Sequence, residues 1–224
     1  KQVYKTEKED EYLIHYKDDA TAGNGVKHDK FEGKGVLNNT ISCIIFDMLE
    51  EAGIKTHMIK KLNERDILVK KVDIFPLEVI IRNITTGSFC KRLGAPEGIV
   101  LDEPIFEMSY KNDEYGDPLI NDDHAVALKL ATREELAYIK ETTLKINELL
   151  KEFFLSMNLK LVDFKIEFGK TADGTILLAD EISPDSCRLW DVDTNQKYDK
   201  DVFRQDIGDL IETYKAVLAR MQNK

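Results

Sequence analysis

The chain has 224 residues, 42% of them hydrophobic and 33% charged, with a formal net charge of −10. That length can bury a substantial core, in one large domain or two small ones. An acidic chain without a basic footprint argues against DNA or RNA partners, and no apolar run approaches the ~20 residues of a membrane span.

Residues 2–5 and 11–17 read as strands joined by a charged turn, and 18–25 as an acidic loop. Within that loop Asp18, Asp19, Gly23 and Gly25 have the composition of a lid, though a solvated loop is the commoner case. Asn38 or Asn39 is suited to cap a helix running to about Ala52, which Gly53 stops. Residues 54–60 and 65–73 look like further strands, and Pro76 marks a boundary. Leu77–Arg82 is the next strand, and a short helix opens at Gly87-Ser88. Residues 94–118, with Pro96, Pro104 and Pro118, read as loop. Thr132-x-x-Glu135 is a capping box opening a helix to about Met157. Two strands follow, then a polar loop, Ser183–Asp191, with an arginine and the sole tryptophan. A last helix spans roughly 200–222, its buried stripe supplied by Phe203, Ile207, Leu210, Ile211 and Val217. The order predicts an α+β protein of two lobes, a mostly antiparallel sheet lobe over 1–75 and a larger α+β lobe over 76–224, with the active cleft between them.

The chemistry concentrates at 161–182. Val162, Phe164, Ile166 and Phe168 alternate with Asp163, Lys165 and Glu167, the period of a half-buried strand with a wet acid–base–acid face. Asp173-Gly174 signals a two-residue hairpin turn, which sets Glu167 opposite Asp180. Like charges facing each other across a ladder repel, and a divalent cation between them resolves the conflict. Lys165, one pleat away, suits a phosphate on that cation. A three-residue loop would bring Glu181 in place of Asp180 and overturn the metal pair read from this register. Alternation alone would mean only a solvated face.

Other candidates are weaker by themselves. Ser88, behind Gly87 at a helix start, can hold a phosphate through free backbone N–H groups, but an ordinary N-cap explains it as well. Arg82 shares a strand face with Glu78, as an ion pair or as a bidentate grip on a substrate anion. Lys70-Lys71 lies near the lobe boundary, within reach of a nucleotide, although exposed lysines are commonly just solvated. Asp113, Asp117, Asp122 and Asp123 form an acidic region in which solvent outweighs a second cation. Cys90 is expected in the core. Cys43, Cys90 and Cys187 suit reduced thiols in a cytoplasm, no signal peptide is seen, and the four histidines lack zinc-ligand spacing.

Several blocks together are more specific. Phe75-Pro76-Leu77-Glu78-Val79-Ile80-Ile81-Arg82-Asn83-Ile84-Thr85-Thr86-Gly87-Ser88 resembles the first signature of the SAICAR synthetase family, and Leu161–Gly169 the second. Asp180–Asp185, Arg188–Asp191 and Asp199–Gln205 are similar to further family blocks, so the resemblance spans essentially the whole chain. It implies ATP-dependent condensation of carboxyaminoimidazole ribotide with L-aspartate to SAICAR, ADP and phosphate, through an acyl phosphate. It also implies an ATP-binding fold similar to protein kinases and ATP-grasp enzymes, and a homodimer. By the same resemblance Glu167 and Asp180 would hold Mg²⁺, and Lys165 would neutralise the transferring phosphoryl group. Arg82, Ser88 and Arg188 would hold the ribotide, Val3 and Lys70 would lie against the nucleotide, and Lys200 and Arg204 would bind anions. Lys165 and Arg188 are thus the catalytic candidates. The family opens with a Gly-Lys-x-Lys strand-turn over the ATP phosphates. Here Lys1-Gln2-Val3-Tyr4 matches only its end, so preceding sequence is expected to be missing and ATP binding by the chain as written to be poor.

Overall fold

The protein is described by a computed structural model covering residues 1–22 and 27–223. In chain order its strands and helices are β1 Gln2–Lys5, β2 Glu11–His15, β3 Asp19–Ala22, β4 Lys27–Lys30, α1 Lys34–Glu51, β5 Met58–Lys61, β6 Asp66–Lys70 and β7 Asp73–Ile74. Then come β8 Leu77–Ile84, α2 Gly87–Leu93, β9 Val100–Tyr110, β10 Leu119–Ile120, α3 Asp122–Ala127 and α4 Arg133–Leu155. The chain closes with β11 Leu159–Lys170, β12 Ile176–Ala179, β13 Cys187–Asp191, α5 Asp201–Arg204 and α6 Leu210–Gln222.

Two antiparallel sheets carry the fold. One runs β1-β2-β6-β5; the other runs β10-β9-β8-β11-β12, with β13 and β7 also pairing to β11. The sheets meet where the 55–57 segment lies along β12. There the His57 N–H donates to the Leu178 carbonyl at 2.8 Å, and the Leu178 N–H donates to that of Lys55 at 3.0 Å. One apolar cluster runs through both, from Ile14, Ile41 and Ile67 to Ile81, Leu150 and Phe164. On α4, Leu136, Ile139, Thr143, Ile146, Leu150 and Phe153 form the buried stripe expected of a 3.6-residue period. Its capping box is formed: the Thr132 hydroxyl accepts from the Glu135 N–H, and the Glu135 carboxylate accepts from the Thr132 N–H at 2.8 Å. Among the described residues no helix is long and apolar enough to cross a membrane.

Several expectations are corrected. Helix α1 starts at Lys34 rather than at Asn38 or Asn39. Asn39 is a buried interior residue whose amide donates to the carbonyls of Asn63 and Glu64, so its polarity serves a tertiary contact and not a cap. Within the loop-rich stretch 94–118, eleven residues form strand β9, paired along β8. Pro104 sits where the register jumps from Arg82↔Ile105 to Ile84↔Val100, so its missing N–H costs no ladder bond. The polar loop ending at Asp191 folds in part into β13 against β11. The last helix breaks in two at 205–209, where Asp209 caps α6 by accepting the Glu212 N–H at 2.9 Å; Ile207, in the break, is 56% exposed. Cys90 is half-buried rather than in the core.

Candidate active site

Strand β11 is the hub of the site. It pairs with β8 on one edge and with β12 and β13 on the other, and most of its residues on both faces are buried. Asp163 and Glu167, expected on a wet face, are each only 4% exposed. Buried carboxylates need partners, and most of the site consists of those partners.

The hairpin differs from the two-residue expectation. Thr171 N–H donates to the Thr175 carbonyl, Gly174 N–H donates to that of Thr171, and Gly174 takes φ 88°. This is a three-residue loop closed by a left-handed glycine. The Asp173 carboxylate accepts from the Thr175 N–H at 3.1 Å and from the Thr171 hydroxyl, which fixes the longer loop. Glu167 therefore lies opposite Ala179, not Asp180, so the ladder register does not supply the metal pair expected from the sequence. In the regular ladder Glu181 would follow on that face. The ladder stops first: β12 ends at Ala179, and Asp180 adopts φ 61°, outside the strand conformation. Asp180 still lies close enough that its charge acts on the Glu167 carboxyl.

Three ammonium groups surround this acid pair. Lys111 Nζ donates to both Glu167 oxygens, at 2.6 and 2.7 Å. Lys1 Nζ donates to Asp180 and lies 3.1 Å from Glu181. Lys165 Nζ donates to Glu78 and is 4.0 Å from Glu167. Burial, then the charge of Asp180, pushes the Glu167 carboxyl above its ordinary range. Burial acts the same way on Asp180, but Lys1, Lys165 and Lys111 outweigh it and hold that carboxyl low. Burial would lower Lys165; Glu78 and Glu167 more than offset it and keep the ammonium charged. Glu78 thus belongs to Lys165 and not to Arg82. The two are four residues apart on one strand, about 13 Å along it, too far to pair.

Arg82, 3% exposed, instead donates to Glu107 at 2.8 Å, Asp163 at 3.2 Å and the Ser88 hydroxyl at 3.0 Å. Ser88 is inside α2, whose cap is Thr86, so it acts as an acceptor for Arg82 and not as an N-cap. Arg188 donates to Asp163 at 2.7 Å and to Asp201 at 2.9 Å. Its guanidinium packs on Gly87 so closely that a Cβ there would lie 2.6 Å from Nη2. Arg204 donates to Asp201 at 2.7 Å. Arg82, Ser88, Lys165, Arg188 and Arg204 line one cavity of about 150 Å³. A lysine and three arginines along one wall can grip a phosphate or carboxylate.

Lys200 lines a neighbouring cavity, 3.7 Å from Asp185, and burial lowers its ammonium. Val3 is 61% exposed on edge strand β1, two residues from Lys1. Lys70, at the end of β6, lines a cavity of about 750 Å³ beside the hairpin tip, away from the acid pair. Asp18 is held by Arg65 and the Gly35 N–H and Asp19 pairs with Lys17, which makes them scaffold residues; Gly23 and Gly25 lie outside the described residues. Asp117 closes a turn on the Asn112 N–H, and Asp122 and Asp123 start α3.

The residues not anticipated are Lys1, Lys34, Lys111, Asp163, Asp185, Asp199 and Asp201. Asp185 accepts from Lys34 at 2.6 Å and from the Tyr214 hydroxyl. Burial opposes its charge, yet Lys34 and Lys200 hold its carboxyl down to about 2. Asp199 accepts from the backbone of Asp201 and Leu189, and burial plus the charge of Asp201 push it up to about 7. Asp163 had a visible signal, a charge inside an apolar strand, and Lys1, Asp185, Asp199 and Asp201 fell within stretches that resemble the family; Lys34 and Lys111 are ordinary surface residues by pattern.

No cluster of three or more His, Cys, Asp or Glu that could enclose a metal exists among the described residues. A two-carboxylate site is different. Glu167, buried, and Asp180, half-buried, offer hard oxygen donors where cationic groups already converge, which fits Mg²⁺ shared with phosphate oxygens.

The SAICAR synthetase family profile matches residues 1–221. A phosphoribosylaminoimidazole-succinocarboxamide synthase from Finegoldia magna is 67% identical, over 99% of this chain and 96% of the relative. The crystal structure of SAICAR synthetase from Pyrococcus horikoshii superposes with TM-score 0.95 at 49% identity, covering 100% of this chain and 97% of that one. A SAICAR synthetase solved in complex with ADP matches with TM-score 0.95 at 48% identity, over 100% and 98%. With that profile over nearly its full length, the chain belongs to the SAICAR synthetase family, ligases of purine biosynthesis.

Proposed function

We propose that the chain joins carboxyaminoimidazole ribotide to L-aspartate with ATP, releasing ADP and phosphate. The observation that carries the reading is the set of acids Glu167 and Asp180, held by Lys1, Lys111 and Lys165, beside a cavity walled by Arg82, Arg188 and Arg204. Nucleotide binding draws support from the relative solved with ADP. The two sheets, meeting along 55–57 and β12, would form the walls of an ATP cleft of protein-kinase or ATP-grasp type, divided as 1–75 and 76–224. Val3 and Lys70 would lie against the nucleotide.

Glu167 and Asp180 would hold Mg²⁺ with the ATP phosphates. When bound, the ion withdraws charge from the phosphoryl group and neutralises the leaving ADP. Lys165, kept charged by Glu78, stabilises charge that develops on the transferring phosphoryl oxygens. Arg82, Ser88, Arg188 and Arg204 hold the ribotide and its phosphate, preorganised by Asp163 and Asp201. A carboxylate is a poor electrophile, so its oxygen first attacks the γ-phosphorus and ADP leaves. The aspartate amine then forms the C–N bond, the C–O bond to phosphate breaks, and the amine proton leaves to solvent or a neighbouring acceptor. A homodimer is part of the reading, supported by exposed Leu93, Ile99 and Val100 around α2, as is a cytoplasmic setting, supported by three free cysteines.

ADP release with the ribotide, measured with and without aspartate, tests this. Turnover requiring both, with SAICAR formed in step with ADP, is the expected result. Aspartate-independent ADP release with a phosphorylated ribotide would make the protein a kinase instead, and no turnover by the full-length protein would make it a binding protein.

A further inference from the structure

Asp199 is 0% exposed, and its carboxylate is spent on backbone groups. Oδ2 accepts from the Leu189 N–H at 2.9 Å and Oδ1 from the Asp201 N–H at 2.7 Å. One side chain thus ties β13 to the start of α5. Those two elements carry two of the arginines of the anion-binding wall: Arg188, the neighbour of Leu189, and Arg204, at the end of α5. Asp201 stands between the two guanidiniums. One of its oxygens accepts from Arg188 Nε at 2.9 Å, the other from Arg204 Nη1 at 2.7 Å. Asp199 therefore fixes the backbone of the residue whose side chain spaces the two arginines. The arrangement is costly. Burial, then the charge of Asp201, pushes the Asp199 carboxyl from 3.8 up to about 7. Asp201 on α5, Arg188 and Cys187 on β13, and Tyr214 on α6 face it, and of these Arg188 alone is a cation. An ionised acid in that setting weakens the fold, and a neutral side chain would cost less. An acid held where it costs stability answers a demand other than stability.

We propose that Asp199 is a positioning residue for the reaction: by bridging Leu189 and Asp201 it sets the separation of the Arg188 and Arg204 guanidiniums to suit the anionic groups of the ribotide. The inference rests on the ligase reading above, with the ribotide in the arginine-walled cavity. Asp199 does not line that cavity, so it acts through Asp201 and the two arginines rather than on the ligand. Two features favour this role over simple bracing. Its two acceptor oxygens serve two different elements, so removing either loosens α5 against β13. Asp201 divides its own oxygens between the two arginines, so a shift of its backbone moves both guanidiniums together. Asp199→Asn keeps the shape but leaves one acceptor, and its amide N–H₂ then faces a backbone N–H.

The test is steady-state kinetics on the full chain with ribotide and ATP varied in turn, in wild type, Asp199→Asn, Arg188→Ala and the double variant. Asp199→Asn should raise the ribotide KM roughly tenfold, while the ATP KM changes less than about twofold. In the Arg188→Ala background the same substitution should add about threefold or less, because a guanidinium it positions is already gone. A general loss of structure would raise both KM values and would add fully to Arg188→Ala. Asp199→Ser, which keeps one uncharged acceptor, repeats the test should Asp199→Asn not fold; failure of both to fold would make Asp199 a stability residue and overturn the proposal. An unchanged ribotide KM in Asp199→Asn, an equal rise in the ATP KM, or full additivity with Arg188→Ala would overturn it too and leave the ligase reading standing. An unchanged ribotide KM in Arg188→Ala would instead remove the ribotide from this cavity, and the inference with it. Wild-type turnover without any need for aspartate would remove the ligase reading itself.

Discussion

Glu167 and Asp180 show how one side chain's chemistry is set by its surroundings. Two acids sharing a site repel each other, yet Lys1, Lys111 and Lys165 hold the pair together. Glu167→Gln keeps the shape and removes both the repulsion and one metal donor. We expect kcat to fall at least about a hundredfold, with a melting temperature within about 3 °C of wild type; a wild-type kcat in the folded variant would remove the metal role. Asp199 makes a prediction about pH. Its folded-state pKa, about 7, is above the unfolded value of 3.8, so between those limits the native state binds the extra proton. Its contribution to stability is therefore complete below 3.8 and is lost as pH rises toward 7. Asp185 has the opposite sign: held at about 2, it stabilises above 3.8 and loses that contribution as pH falls toward 2. Urea midpoints between pH 4 and 8 should decline in wild type more steeply than in Asp199→Asn; parallel curves would show that Asp199 is ionised throughout.

At the scale of elements, the hairpin and the β8–α2 junction decide where the functional side chains go. One extra loop residue replaced Asp180 by Ala179 opposite Glu167, and the left-handed turn at Asp180 took that acid out of the ladder. The sequence shows the Asp-Gly signal, but the length of the loop depends on whether Asp173 binds the Thr175 N–H, a choice between two local solutions of similar energy. Strand β9 was illegible for a related reason: Pro104 and the prolines flanking the strand look like loop, and only the register jump against β8 makes Pro104 tolerable. The capping box at Thr132 was legible because both partners lie within four residues. Gly87 links backbone to site, since its φ of 56° and the guanidinium of Arg188 leave no room for a methyl group. Gly87→Ala should displace Arg188 and raise the ribotide KM about tenfold or more, with the ATP KM little changed; equal rises in both would place Arg188 outside the ribotide site.

At the scale of the whole molecule, the site is assembled from both sheets, and ligand binding should tighten their union. Mg·ADP at about a hundredfold over its Kd should stabilise by about 2.7 kcal/mol, a rise in melting temperature of about 5 to 10 °C. EDTA should abolish most of it, as should Glu167→Gln; a shift insensitive to EDTA would mean the nucleotide binds without the ion. The sequence by itself determined the family likeness, the α+β content, the hub strand and the identity of the main acids and arginines, because those follow from contiguous motifs and from periods of 2 and 3.6 residues. Only the tertiary structure decided that Lys1 meets Asp180 across 179 positions, that Lys111 meets Glu167, and that Lys200 and Arg204 face different cavities. Such pairings depend on register, on the direction a side chain takes after a left-handed residue, and on burial from both faces, none of which is encoded within a short stretch of chain.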